Sequence, residues 1–265
     1  MNVNLKHQYF GYSATPKLWE GKLSGLEQFD FNRDSGNSFL GSIKKKLRLG
    51  HLVEHFVESE LISDSSIHIL GNNIQIYSDK QTIGEYDFLI EQDGKQYHIE
   101  VAYKFYVYDE SVGSSDIKSW IGPNRKDSLI QKMDKIKEKQ FPLINRPESI
   151  GALKLLGIDS ANIVQRVYFK AKLFVPFGKD ISVLPLNQEC VAGFYILFKD
   201  LNQFEAAQLF IPSKHDWLVE PNEEVAWMPF EIGQLEIQHS IKEERSPLIW
   251  LKRGSRLEAA FVVWW

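Results

Sequence analysis

Hydrophobic and polar positions recur with three different spacings along this chain, and each predicts a different element. From Phe39 the apolar residues Ile43, Leu47, Leu52, Val53, Phe56, Val57 and Leu61 fall near a 3.6-residue period. That spacing predicts two helices divided at Gly50, the second carrying Glu54 and Glu58 one turn apart. A short strand is expected over residues 74–77, and two longer ones over 85–91 and 96–108. The longer pair flanks Gln92-Asp93-Gly94-Lys95, and Asp-Gly between alternating runs is a strong hairpin signal. Gly122-Pro123-Asn124 then reads as a turn, and residues 125–140 as a helix with Leu129, Met133 and Ile136 on one stripe. Pro142 and Pro147 punctuate its exit, and residues 163–175 alternate as another long strand. Residues 1–36 read as loops with room for one short helix. Beyond Pro176 the pattern assigns nothing until residues 261–265, a terminal strand or packed tail.

Helix, three or four strands, helix and strand predict an α/β fold with a mixed β-sheet flanked by helices. The expected division is an N-terminal extension over 1–36, a core over 37–178, and an aromatic-rich C-terminal α+β extension over 179–265 packed on that core.

The hairpin register is the most informative step. With Asp93-Gly94 as the two-residue turn, Gln92 faces Lys95, Glu91 faces Gln96, Leu89 faces His98 and Asp87 faces Glu100. One face then carries Tyr86, Phe88, Ile90, Tyr97, Ile99, Val101, Tyr103 and Phe105, which is a core face. The other carries Glu85, Asp87, Glu91, His98, Glu100, Ala102 and Lys104. Two carboxylates directly opposed, with Cβ atoms about 5 Å apart, destabilise a hairpin unless something compensates. A divalent cation would do so, since Mg²⁺ takes one or two carboxylates and keeps several waters. The competing explanation is a hydrated face whose charges water tolerates. Lys104 is either half of a cross-strand ion pair with Glu85 or a cation steadying charge on phosphate. His98 is either a ligand or a satisfied side chain.

Composition narrows the setting. Hydrophobic residues make up 43% and charged residues 25% of the 265, ordinary for a globular protein. Net charge is −4, which argues against whole-surface attraction to nucleic acid but allows a local basic stripe. Lys44, Lys45, Lys46 and Arg48 form one basic run. Arg125, Lys132, Lys135 and Lys139, with Lys126 beside them, form a second along the predicted helix, each readable as a phosphate-tracking stripe or a hydrated helix face. The single cysteine, Cys190, excludes an internal disulfide framework and is expected to be buried and inert. No run approaches the ~18 apolar residues of a membrane span. The N-terminus has no apolar segment of signal-peptide type, so a reducing cytoplasm is the expected compartment.

Three segments resemble a family. They are Gly84-Glu85-Tyr86-Asp87-Phe88-Leu89, then His98-Ile99-Glu100-Val101-Ala102-Tyr103-Lys104-Phe105-Tyr106, then Trp120-Ile121-Gly122-Pro123-Asn124 with Asp127. Leu49-Gly50-His51-Leu52-Val53-Glu54 looks like the same family's first-helix motif, and Lys172-Leu173-Phe174-Val175-Pro176 is a weaker echo. The family is a bacterial domain-of-unknown-function family, number 1853, grouped with the PD-(D/E)XK phosphodiesterases. The resemblance implies a restriction-endonuclease-like core. It implies Asp87 and Glu100 as ligands of Mg²⁺ or Mn²⁺, with the Val101 carbonyl nearby and Glu54 completing the site. In that superfamily a lysine usually follows the second carboxylate by two residues. This chain has Ala102 there and Lys104 two further on, ~7 Å along a strand. Lys126 or Lys132 is the other source of that cation.

The implied activity is a metal-dependent phosphodiesterase acting on DNA or RNA, with Asp87, Glu100, Lys104 and Glu54 catalytic and Lys126, Lys132 and Lys135 on nucleic acid. The alternative is a nuclease-fold module that binds nucleic acid or protein without catalysis. A scaffold built on the aromatic C-terminal region is a third.

Overall fold

The computed structural model describes residues 3–30, 39, 41, 43, 47–113 and 117–265. Its helices are α1 (Val3–Ala14), α2 (Leu49–Ser63), α3 (Leu129–Lys135), α4 (Ile150–Leu155) and α5 (Phe230–Lys242). Its strands are β1 (Lys22–Leu23), β2 (Leu26–Glu27), β3 (Ile67–Ser78), β4 (Gln81–Gln92), β5 (Lys95–Tyr108), β6 (Trp120–Ile121), β7 (Val164–Pro176), β8 (Val191–Leu197), β9 (Gln208–Phe210), β10 (Leu248–Arg253) and β11 (Arg256–Val263). Parallel and antiparallel pairings both occur, so the fold is mixed α/β with a mixed sheet and helices. Two compact units divide the chain. One takes Lys17–Tyr103 and Gln131–Lys170; the other takes Asn2–Pro16, Lys104–Ile130 and Ala171–Trp265.

In the first unit, β3, β4 and β5 form an antiparallel meander, and β7 follows β5 in the strand order. The β4–β5 turn has positive φ at both Asp93 and Gly94, the geometry whose twist matches the flanking strands. The register is the expected one: Gln92 with Lys95, Glu91 with Gln96, Leu89 with His98. Strand β3 is far longer than residues 74–77. Its ladder to β4 continues through the polar stretch Gly71-Asn72-Asn73 by a register shift between Ile69 and Gly71, and alternation cannot reveal that. Helix α2 buries Leu52, Val53, Phe56, Val57 and Leu61, the expected stripe. It begins only at Leu49, so Gly50 lies in its first turn instead of dividing two helices. Phe39, Gly41, Ile43 and Leu47 are not helical, because one apolar residue per turn is too thin a stripe to hold a helix. Lys44, Lys45 and Lys46 lie outside the described residues.

Helix α3 starts later than residue 125. The preceding segment closes a turn in which the Gly122 N–H donates to the Asp127 carbonyl at 2.7 Å and Arg125 has φ 56°. Arg125 therefore sits in a turn, off the helical stripe. Leu129, Met133 and Ile136 are fully buried, as the stripe requires.

In the second unit β8 runs parallel to β7 and β11, and β10 and β9 follow antiparallel. Phe194, Phe204, Phe230, Ile249, Leu251 and Val262 fill a core there. The aromatic richness of the C-terminal third is thus largely core. Cys190 is buried, its thiol 3.8 Å from the Pro16 carbonyl. Among the described residues no helix is long and apolar enough to cross a membrane.

Candidate metal centre

The backbone ladder between β4 and β5 ends at Phe88–Ile99, one step short of Asp87 and Glu100. There the strands part, and the Val101 N–H donates to Asp87 Oδ2 at 2.8 Å instead of to a backbone carbonyl. Asp87 is partly buried and Glu100 wholly so. Burial, then the neighbouring Glu100 charge, pushes the Asp87 carboxyl up to about 8. Burial likewise raises Glu100, while Lys132, a hydrogen bond from Asp87, and Gln140 pull it partly back. Two carboxyls that resist joint ionisation near neutral pH are a proton-binding pair, and a divalent ion would compete for the same oxygens.

The second face of the hairpin is not open to water. Leu89, His98 and Glu100 are fully buried there, and Leu143, Ile144, Leu153 and Ile158 pack over Leu89. Tyr86 departs from the expected core face: its ring lies edge-on to His98 at 4.9 Å and its hydroxyl donates to Ser149 Oγ at 2.8 Å.

His98 is fixed from both sides. The Gln165 side-chain N–H₂ donates to the Phe141 carbonyl at 2.8 Å and also faces His98 Nδ1 at 3.2 Å. Its nitrogen is set by that carbonyl, so His98 Nδ1 must be the acceptor and Nε2 must carry the proton. Nε2 then donates to Glu100 Oε1 at 2.9 Å. Burial drives the imidazole pKa down to about 4, so the ring is neutral. His98 thus acts as an orienting donor, with its ring edge already committed.

The other Glu100 oxygen accepts from Gln140. Gln140 closes a π-helical turn, Ile136–Gln140, in which the Phe141 N–H reaches back to the Ile136 carbonyl. Its side-chain oxygen accepts from Lys132 at 3.1 Å, which fixes the amide's orientation toward Glu100. Lys132 also acts through space on both Asp87 and Glu100, and Lys135 on Glu100.

Glu54 lies on α2, mostly shielded, with His51 Nδ1 3.0 Å from its carboxylate. Its charge adds to the upward push on Asp87. Among the described residues, however, no three His, Cys, Asp or Glu side chains gather closely enough to hold an ion unaided. Lys104 donates to Asp127 at 2.7 Å. Glu85, the partner its register predicts, instead accepts from Gln75 at 3.3 Å, because the β4–β5 ladder has ended before the two could pair. Lys126 is exposed in the turn before α3, and Lys135 is exposed on the helix.

The donor set fits a hard divalent cation. It offers carboxylate oxygens only, on two side chains, and Mg²⁺ or Mn²⁺ accepts such a pair with water completing the shell. Sequence reasoning missed Gln140 and Gln165. A signal existed for both. Gln140 continues the 133/136 apolar stripe, and Gln165 shares parity with Val167, Phe169 and Ala171, so each is a polar residue at a core position.

A family model described as domain of unknown function (DUF1853) matches residues 6–262. No curated protein and no solved structure matches the chain.

Proposed function

The chain belongs to the DUF1853 family, and from that premise we propose that it is a PD-(D/E)XK-type, Mg²⁺- or Mn²⁺-dependent phosphodiesterase acting on DNA or RNA. The observation that carries this reading is the opposed pair of a partly buried Asp87 and a wholly buried Glu100, both with raised pKa values and both under the charge of Lys132. Asp87 and Glu100 hold the ion, and Glu54 backs the site from α2. A bound ion would polarise the scissile phosphate and offset its charge. His98 and Gln140 orient the two Glu100 oxygens. Lys132 takes the part that Ala102 cannot, supplying positive charge where the phosphate gains negative charge. Lys135 extends the cationic surface for backbone phosphates, and Lys126 is a further candidate phosphate contact.

Cleavage of single-stranded, double-stranded and branched DNA and RNA, with Mg²⁺ and with Mn²⁺, is the direct test. Metal-dependent cleavage lost in Asp87→Asn and Glu100→Gln supports the proposal. Intact substrates throughout, with no binding at low salt, end it. Ala102 favours one alternative: metal and nucleic acid bound without cleavage would identify a non-catalytic binding module on the same scaffold.

A further inference from the structure

The second unit contains an open cavity of about 400 Å³ lined by Asn124, Lys214, Trp217, Ser240, Arg245 and Ser246, with apolar side chains completing its wall. Among the described residues no acidic side chain lines it. Its polar groups are mostly donors. The Ser246 N–H donates to Asn124 Oδ1 at 2.7 Å, which fixes that amide and leaves its N–H₂ arm turned the other way. Arg245 carries a guanidinium, shared with Glu243. Lys214 is an exposed residue, yet its ammonium lies 3.3 Å from the Trp217 ring centre.

The local charge does not balance. Asp127 attracts Lys214, but Asp127 already accepts from Lys104 at 2.7 Å. Two lysines thus share one aspartate. Desolvation lowers Lys214 to about 8, and Lys104 adds to that shift. An anion seated in the cavity would offset the repulsion between the lysines and supply counter-charge to the Lys214 ammonium. The volume lies at the low end for small-molecule sites, which suits one phosphorylated group and excludes a duplex.

We propose that this cavity binds a terminal phosphate, carried on a mononucleotide-sized molecule or at the end of a nucleic-acid strand, with Lys214, Asn124 and Ser240 as donors. Nothing in this rests on cleavage at Asp87 and Glu100.

The full chain would be titrated by calorimetry with inorganic phosphate, with AMP, and with a tetranucleotide bearing either a terminal phosphate or a terminal hydroxyl. The expected result is binding of the phosphate-bearing probes only. Affinity should fall about tenfold or more in Lys214→Met, which keeps the apolar stem on Trp217, and in Asn124→Asp, which keeps the acceptor for Ser246 but turns a donor into an acid. Thermal melts establish that both variants are folded. Tighter binding of the tetranucleotide than of AMP identifies a strand end, and the reverse identifies a free nucleotide. Equal binding of the phosphorylated and hydroxyl tetranucleotides, no binding of any probe, or unchanged affinity in folded Lys214→Met overturns the proposal.

Discussion

Lys172 and Glu100 are both almost wholly buried, at 5% and 0% exposure, and the chain answers them in opposite ways. Lys172, in the second unit, donates to Glu220 at 2.6 Å and to the Leu218 carbonyl at 3.0 Å. Burial pulls its pKa down and Glu220 pulls it back, so one charge meets one counter-charge. Glu100, in the first unit, meets another carboxylate. Its own oxygens are satisfied by the neutral donors His98 and Gln140, while Lys132 and Lys135 act on it through space. A protein seeking only stability would remove such a like-charged pair, because amide or apolar replacements avoid the cost. A buried charge paired within the chain is a structural device. A carboxyl set beside another carboxyl is what the proposed ion would answer.

The largest expected effect breaks that contrast directly. Asp87→Ala or Glu100→Gln should abolish Mn²⁺ binding by calorimetry and reduce cleavage by about three orders of magnitude or more. Lys172→Met should change neither. Cleavage that persists in Asp87→Ala would remove the metal centre from the argument.

Stability should move with opposite signs in the two regions. Metal-free Asp87→Asn keeps an acceptor for the Val101 N–H and removes the repulsion, so it should stabilise by about 1–2 kcal/mol. Glu220→Ala leaves Lys172 with only a carbonyl. Because the Glu220 side chain is 56% exposed, the cost should be small, about 1 kcal/mol. Urea denaturation measures both, and a destabilised Asp87→Asn would make the carboxylate pair structural after all.

The same shifts set a pH dependence. Folding raises the Asp87 pKa to about 8 and Glu100 in the same direction, so the native state holds protons that the unfolded chain has released. That contribution is complete below the ordinary carboxylate range and is lost as pH rises through the folded values. Metal-free protein should therefore lose stability between about pH 5 and pH 8. Mn²⁺ should restore more of it at the alkaline end, where it no longer competes with protons. Thermal melts with and without Mn²⁺ across that range give the answer, and a metal effect that shrinks as pH rises contradicts the account.

Much of this was legible in the residues. The Asp93-Gly94 turn dictates its own geometry, and the register it sets runs unbroken to Phe88–Ile99. The α2 stripe and the buried Leu129, Met133 and Ile136 follow from spacing alone. What alternation could not carry was the parting of β4 and β5 at Asp87. That depends on a side chain taking a backbone donor, and the Tyr86 ring meets His98 where alternation sets it on the other face. Lys132 was one of three candidates, with Lys104 and Lys126, for the displaced cation. Choosing it needs the π turn that sets Gln140 between Lys132 and Glu100, and hydrophobic periodicity does not distinguish a π turn from an α turn. β9 escaped notice because it is only three residues long, and β10 because its first four residues are all buried and leave no alternation to read.

Lys132 sharpens the comparison at intermediate scale. Lys132→Ala should slow cleavage about tenfold to a hundredfold in kcat with a smaller change in KM, since its charge matters most where the phosphate gains charge. Lys104→Ala should cost less, because its amine is engaged with Asp127. Steady-state kinetics decide between them, and the reverse ranking would return the role to Lys104.

The smallest effect tests how finely Glu100 is held. Gln165 fixes His98 as the Nε2–H tautomer because its own nitrogen is committed to the Phe141 carbonyl. Nitrogen NMR of the parent should accordingly show a single buried histidine with protonated Nε2 and bare Nδ1, unchanged on adding Mg²⁺. Gln165→Glu places an acceptor opposite Nδ1 and should draw the proton across, leaving the Nε2 lone pair facing Glu100 Oε1. Glu100 would then lose its donor and turn, and Mn²⁺ affinity should fall about tenfold, as it does when outer hydrogen-bond partners of metal ligands are removed. Gln165→Met removes the donor without supplying an acceptor, so the tautomer is freed rather than inverted and the loss should be smaller. A merely structural role for Gln165 would lower stability in both variants but leave the surviving protein with the parent tautomer and the parent affinity. An Nδ1-protonated ring in the parent itself would show that His98 does not donate to Glu100, and the orienting role would fall with it.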